Sequence, residues 1–233
     1  MPSKAIAAVL FDFDGVIVHS EPLHFYAMHQ VLLDERVEIT EDEYYKHLVG
    51  FDDRGAFRDV FDRRGRPLDP PTLLRLMARK SGVMMGLIYD RKFHALPHVE
   101  AFVRGVWRHH PLAICSGGLR EEIEAMLEGV ALRDCFPVIV AAEDVTVGKP
   151  DPAGYLLATK LLSEKTGKKF RPEQCLVVED APKVIRNAKK AGFQTLGLAT
   201  TYGPDVLADA DHVVNSLDPA EVLAKIPSLQ ILQ

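Results

Sequence analysis

The chain is poor in cysteine. Cys115, Cys135 and Cys175 are odd in number and far apart, so they fit neither a disulfide framework nor a cysteine metal site and predict a reducing, cytoplasmic setting. Cys115 reads as a small buried hydrophobe. Positive charge is not in excess either. With 28 Lys+Arg against 33 Asp+Glu the net charge is -5, which argues against a general nucleic-acid binder or an anionic-membrane binder. No apolar stretch approaches the roughly 20 residues that span a bilayer. Internal repeats and low-complexity segments are missing as well. The opening run, Met1 to Asp12, is apolar but is followed at once by acids and has no small-residue cleavage site, so it reads as a first strand rather than a signal peptide. What is present is 233 residues with 47% apolar and 26% charged side chains, enough for one large domain or one domain with an insert, and enough to bury a core without staples.

Short apolar, β-branched runs recur along the chain: Ala5 to Phe11, Leu112 to Cys115, Val138 to Ala141, Cys175 to Val178, Thr195 to Ala199 and His212 to Val214. Continuous apolar runs predict strands covered on both faces, as in a parallel sheet. Helical patterns fall between them, from Leu119 to Leu127, from an Asp151-Pro152 cap to about Leu162, and from Pro182 to Ala191 before Gly192. The alternation predicts a doubly wound α/β fold. The rhythm breaks over residues 16–96, where only helices are expected: Glu21 to Glu35, one opened by a Thr40–Glu43 capping box, Asp53 to Arg64, and one begun by Asp69-Pro70-Pro71 and running toward Met85. This predicts a core of residues 1–15 and 97–233 with a helical domain of residues 16–96 inserted after the first strand. Its two crossings, near Val16–Ser20 and Ala95–His98, would act as hinges.

Chemistry-bearing residues cluster where strands end. Asp12 and Asp14 close the first strand and, at period 2, point the same way. Two like charges this close need a cation or a shared proton. A calcium loop does not fit, because no third acid follows and no glutamate stands at its twelfth position. Ser116-Gly117-Gly118 follows the second expected strand, where a hydroxyl and glycine amides suit phosphate oxygens or simply form a turn. Lys149 sits between Gly148 and Pro150, placed either to reach an anion or to be solvated. Glu179-Asp180 caps the Leu176–Val178 strand, with Asp180 alternatively capping the next helix. In an open α/β sheet ligands bind outside the carboxyl ends of strands, so these residues belong at one edge. The acids there would hold a divalent cation, and Ser116 and Lys149 an anion.

This order and spacing resembles the haloacid dehalogenase-like hydrolase superfamily over essentially the whole chain, in its group with a helical cap after the first motif. The resemblance implies a Rossmann-like core and phosphoryl transfer through an aspartyl-phosphate. It implies Asp12 as nucleophile, Asp14 as general acid/base, and Ser116, Gly117 and Lys149 as phosphoryl-binding residues. A Mg²⁺ ion would be held by Asp12, the backbone carbonyl of Asp14, Asp180 and, directly or through a neighbour, Glu179. Ser20 to His24 and Arg79-Lys80 resemble the β-phosphoglucomutase-like branch, which makes His24, Arg54 and Lys80 candidate readers of the leaving group. Asp14 and the acidic fourth motif speak against the dehalogenase and phosphonate-cleaving branches. Ala181, Val184 and Pro97-His98 depart from the usual Ser, Gly and Pro-Gly. The expected activity is a Mg²⁺-dependent phosphatase for small phosphorylated metabolites such as sugar or polyol phosphates. The alternatives are a hexose-phosphate mutase, disfavoured because Gly117-Gly118 stands where such mutases carry a Lys-Asn-type pair, and a non-catalytic interaction protein that keeps the fold. A monomer or small homo-oligomer is expected, with no nucleic-acid or membrane partner.

Overall fold

A computed structural model describes residues 5–231. Met1 to Lys4, part of the opening run, lie outside the described residues. Six strands, β1 (Ala8–Phe11), β2 (Leu112–Cys115), β3 (Val138–Val140), β4 (Cys175–Glu179), β5 (Gln194–Leu198) and β6 (His212–Val214), form one sheet in the order β3-β2-β1-β4-β5-β6. Every neighbouring pair is parallel. β1 starts at Ala8 rather than Ala5, although the Ala7 N–H still donates to the Gln174 carbonyl at 2.7 Å.

Alternation within each strand separates two apolar layers. Val9 and Phe11 of β1, Leu112 and Ile114 of β2, and Leu176 and Val178 of β4 face one cluster. Ala8, Leu10, Ala113, Cys115, Cys175 and Val177 face the other. Both faces are covered, which is why these strands read as unbroken apolar runs. The first face carries helices α5 (Val99–Trp107), α6 (Arg120–Gly129) and α9 (Pro219–Lys225), and the second carries α7 (Ala153–Thr166) and α8 (Pro182–Lys190). The architecture is the Rossmann-like α/β sandwich.

Between β1 and α5 come four helices, α1 (Glu21–Asp34), α2 (Glu41–His47), α3 (Asp53–Arg63) and α4 (Pro70–Tyr89). Their inward residues, among them Met28, Leu32, Phe57, Phe61 and Leu76, form a third apolar cluster of their own. Leu23 and Ala27 of α1 and Met84 and Ile88 of α4 instead join the first sheet cluster, so one end of the helical segment is seated on the core. Side chains cap three of the four: Thr40 accepts from the Glu43 N–H at 3.1 Å, Asp52 from Gly55 at 2.7 Å and Asp69 from Thr72 at 2.8 Å. The expected reciprocal capping box at Thr40 does not form. Glu43 turns instead to the Arg64 guanidinium, at 2.9 and 3.0 Å, because a charged partner outcompetes an exposed amide.

The chain crosses between helical segment and core twice, and the crossings run side by side. Val18 bridges Ala95, the His19 N–H donates to the His94 carbonyl at 3.0 Å, and the Leu96 N–H donates to Ile17 at 3.0 Å. His98, which precedes α5, takes φ 64°. Among the described residues no helix is long and apolar enough to cross a membrane.

Candidate active site

Register builds the site. Phe11 lies beside Ile114 on one side and Val178 on the other, so the residues that follow these strands leave the sheet at the same edge. That edge presents Asp12 and Asp14 after β1, Ser116 after β2, and Glu179 and Asp180 at the end of β4. Lys149, on the loop before α7, reaches in from the next connection. Its Nζ lies 2.6 Å from Asp12 Oδ1 and 2.6 Å from Glu179 Oε1. All of these side chains except Asp14 are almost fully buried.

One lysine does not balance the acids. Burial, reinforced by Glu179 and only partly opposed by Lys149, pushes the Asp12 carboxyl well above the carboxylate range. Burial and the fields of Glu179 and Asp12 do the same to Asp180, against a hydrogen bond from Thr201. For Lys149 burial favours the neutral amine, but Asp12 and Glu179 outweigh it and hold the ammonium above its ordinary value. Oxygens of Asp12, Glu179 and Asp180 lie within 4.8 Å of one another. This all-oxygen set with surplus negative charge fits a hard divalent cation, whose charge would remove the same repulsion.

Within that set the acids differ. Glu179 Oε1 accepts from Lys149 and, at 3.4 Å, from the Tyr155 hydroxyl, while Oε2 accepts from the Ala181 N–H at 2.7 Å. Both oxygens of Glu179 are engaged, which puts it in a supporting position behind Asp12 and Asp180. Asp180 does not cap α8, as its alternative reading had it. Ala181 stands at that cap, and Asp180 Oδ2 instead accepts from the Thr201 hydroxyl. Gly15 makes the close approach possible. It has φ 75°, and a Cβ there would sit 2.3 Å from Asp180 Oδ2.

The Asp14 carboxylate is turned away from the cluster, so only its backbone carbonyl is left for the ion in the arrangement that the resemblance implies. The side chain accepts from the Ser20 hydroxyl, from Ser116 Oγ at 3.2 Å and from His24 Nε2 at 3.1 Å. Burial opposes its ionisation, but His24, Ser20 and Lys80 prevail and hold it at about 2. Ser116 Oγ also accepts the Gly118 N–H at 2.9 Å, so hydroxyl and glycine amide are locked together. On the far side of His24, Lys80 Nζ lies 2.9 Å from Nδ1. An ammonium can only donate, so Nδ1 accepts and Nε2 carries the hydrogen given to Asp14.

Around these groups is a chamber. Its floor includes Asp12, Asp14, Gly117, Lys149 and Asp180, and its roof includes His24 and Lys80 together with Glu21, Tyr44, Phe51 and Asp53. Arg54, the third candidate reader, is outside the chamber. It is exposed on α3 and lines an adjoining cleft with Met77 and Glu143. The roof touches the floor: a Cβ on Gly148 would come within 2.5 Å of Asp52 Oδ2, and one on Gly117 within 3.5 Å of the Asp52 backbone. The helical segment is therefore closed over the sheet edge.

Several groups escaped the sequence reading. From sequence Ser20 reads as part of a crossing and of the segment that resembles the β-phosphoglucomutase-like branch, with no role of its own, and Asp53 reads only as a helix start. Thr200 and Thr201 follow the β5 strand end, and that position was the available signal. Thr200 Oγ1 donates to the Gly15 carbonyl at 2.5 Å. Glu21 and Tyr44, joined at 2.8 Å, carried no local signal, because only the fold brings α1 and α2 together.

Comparison with known proteins gives the family. A validoxylamine A 7′-phosphate phosphatase of Streptomyces hygroscopicus is 37% identical over 107 residues, 46% of this chain and 47% of that protein. The match thus spans about half the length of that relative. The fructose-1-phosphate phosphatase of Escherichia coli is 28% identical over 190 residues, 82% of this chain and 95% of its own. Among solved structures, a β-phosphoglucomutase from Clostridium difficile has the same fold, with a TM-score of 0.84 at 20% identity over 96% of this chain and 97% of that one. The family model described as haloacid dehalogenase-like hydrolase matches residues 9–198. The chain belongs to the haloacid dehalogenase-like hydrolase family.

Proposed function

We propose that this protein is a phosphatase that hydrolyses small phosphorylated metabolites, sugar or polyol phosphate monoesters, with Mg²⁺ as cofactor. The observation that carries the reading is the meeting of Asp12, Lys149 and Asp180 at one sheet edge beside Ser116, with Asp14 directly above. The names of the phosphatase relatives, one of them acting on fructose 1-phosphate, support the substrate class.

In this reading residues 16–96 are a cap domain that opens on the paired crossings to admit substrate and closes to exclude water. Ser116 Oγ, the Gly117 amide and Lys149 grip the phosphoryl oxygens. Asp12 attacks phosphorus in line with the leaving oxygen, and Asp14 gives that oxygen a proton as the ester bond breaks. Asp14 then takes a proton from the water that hydrolyses the aspartyl-phosphate, which returns Asp12 as a carboxylate. Against burial, His24 and Ser20 hold Asp14 as a carboxylate, able to act as a base. The negative charge of an arriving phosphoryl group works the other way and favours the protonated acid. Mg²⁺, held by Asp12, Asp180 and the Asp14 carbonyl with Glu179 behind them, would neutralise charge on the transferring group.

The test is phosphate release from a panel of phosphorylated metabolites and from p-nitrophenyl phosphate, with and without Mg²⁺. Asp12→Asn is expected to lower kcat by at least about 10³-fold, the scale on which losing a covalent nucleophile acts. Full activity in that variant would overturn the nucleophile assignment. The fold of β-phosphoglucomutase favours a second reading, a hexose-phosphate mutase. It predicts isomerisation of glucose 1-phosphate without net phosphate release.

A further inference from the structure

The two halves of the chamber differ in the cations they can offer an anion. On the phosphoryl side, Lys149 stands at the mouth of the metal-binding acids. The opposite, leaving-group side is built by the helical segment from Glu21, His24, Tyr44, Asp53 and Lys80, with Met28, Leu48 and Ala56 as apolar wall. Lys80 is the one lysine or arginine among the residues lining this half, and it is not available. It is almost fully buried, it is ion-paired with Asp53 Oδ1, and it donates to His24 Nδ1 at 2.9 Å. The remaining hydrogen of the His24 ring is given to Asp14. Below this group lies Glu122 of α6, buried, with Oε1 lacking any hydrogen-bond partner and its field acting on Lys80 and His24. The leaving-group half is thus lined by one lysine against Asp53 and Glu21, with Glu122 buried behind it.

We propose that Asp53 is a specificity-determining residue: by occupying Lys80 it makes the leaving-group half of the chamber reject a substrate with a second anionic group and accept an uncharged, hydroxyl-bearing one. The proposal rests on the phosphatase reading above. A second phosphate entering here meets the Asp53 carboxylate first. To bind Lys80 it must displace Asp53, which leaves a carboxylate without its cation in a closed chamber. A sugar hydroxyl instead donates to these carboxylates without disturbing the pair. Specificity then comes from a repulsive element built into the site as well as from attraction.

The discriminating measurement is binding of fructose 1-phosphate and fructose 1,6-bisphosphate, which differ only in the second phosphoryl group, to the Asp12→Asn protein with Mg²⁺. The monophosphate is expected to bind at least 100-fold more tightly. Adding Asp53→Asn frees Lys80 and should shrink that ratio to below tenfold, chiefly by strengthening bisphosphate binding. Asp53→Glu should keep it. A merely structural role for Asp53 would weaken both ligands together and leave the ratio in place, and that result would overturn the proposal. So would equal affinity, tighter binding of the bisphosphate, or no binding of either to the Asp12→Asn protein, a measurement that does not depend on the Asp53 variants folding. Phosphate release by the wild type is read separately. The binding preference without any release would sink the phosphatase reading and leave the role of Asp53 standing.

Discussion

Two buried lysines lie in this chamber, and they are held in different ways. Lys149 bridges Asp12 and Glu179, both of which stand at the ends of strands bonded side by side in the sheet. Lys80 bridges Asp53 and His24, which come from three separate helices in all. The first arrangement is fixed by register, so its geometry survives changes in the side chains around it. The second depends on how α1, α3 and α4 pack, and a change in any one of them re-aims it. In the proposed function, chemistry that is the same for every substrate falls to the first, and recognition of the leaving group falls to the second. This is the division expected when function is carried by segments mounted on a rigid scaffold.

Removing the lysine of the sheet edge should have the largest effect. Lys149→Met leaves Asp12 and fully buried Glu179 without their shared cation. Breaking a buried pair in this way costs about 3–5 kcal/mol, so chemical denaturation should show a loss of that size, with phosphatase turnover lost as well. Adding Glu179→Gln removes the more deeply buried of the two stranded charges. The double variant should therefore regain much of the stability and none of the activity. If Lys149→Met unfolds at the wild-type midpoint, the sheet edge is not the charge-coupled unit described here.

The seam between the regions gives a second, smaller test. Gly148→Ala places a methyl group 2.5 Å from Asp52 Oδ2, where the helical segment touches the loop of Lys149. Asp52 also caps α3, so it cannot turn aside freely. The closed position should be disfavoured by roughly 1–2 kcal/mol, in the range of modest overpacking, which corresponds to a loss in kcat/KM of about 5- to 30-fold. Gly117→Ala meets the same residue at an ordinary 3.5 Å and should leave closure unaffected. Equal kcat/KM for the two variants would mean that closure over the sheet edge does not limit the reaction.

The same contrast accounts for what was legible in the sequence. The six strands and the residues at their ends could be read because a strand buried on both faces is written locally, as a short apolar run, and its end is marked by the polar residues that follow. Asp12, Ser116 and Asp180 belong to that class, whereas Lys149 lies on the loop before α7 and is marked only by its turn neighbours Gly148 and Pro150. Helix α5 should also have been read, since Val99, Phe102, Val103 and Val106 fall at helical spacing and all face the core. The roof could not be read this way. Lys80 and His24 were named through resemblance, but that Lys80 is neutralised by Asp53 depends on two helices meeting 27 residues apart. Arg54, adjacent to Asp53 in sequence, points to another cleft, because neighbours on a helix are about 100° apart. Glu43 shows the same limit within a motif: its spacing from Thr40 was right, and a guanidinium from α3's end claimed it.

The smallest expected effect lies where the two regions join. His98 follows the second crossing with φ 64°, the left-handed region that favours glycine. Glycine there would remove a penalty of roughly 1–2 kcal/mol and add back roughly 0.5–1 kcal/mol of unfolded-chain entropy. Histidine tolerates this region better than most residues, so the net gain for His98→Gly should be about 0.5 kcal/mol, a rise in Tm of about 1–2 °C for a chain of this size. The crossing itself is held by backbone bonds at His19–His94 and Ile17–Leu96, which precede His98 in the chain, and these do not change in the variant. Turnover should therefore stay within about twofold of the wild type while stability rises. A variant that is more stable but several-fold slower would show that the strained histidine, and not the paired crossing alone, sets how the helical segment moves against the sheet.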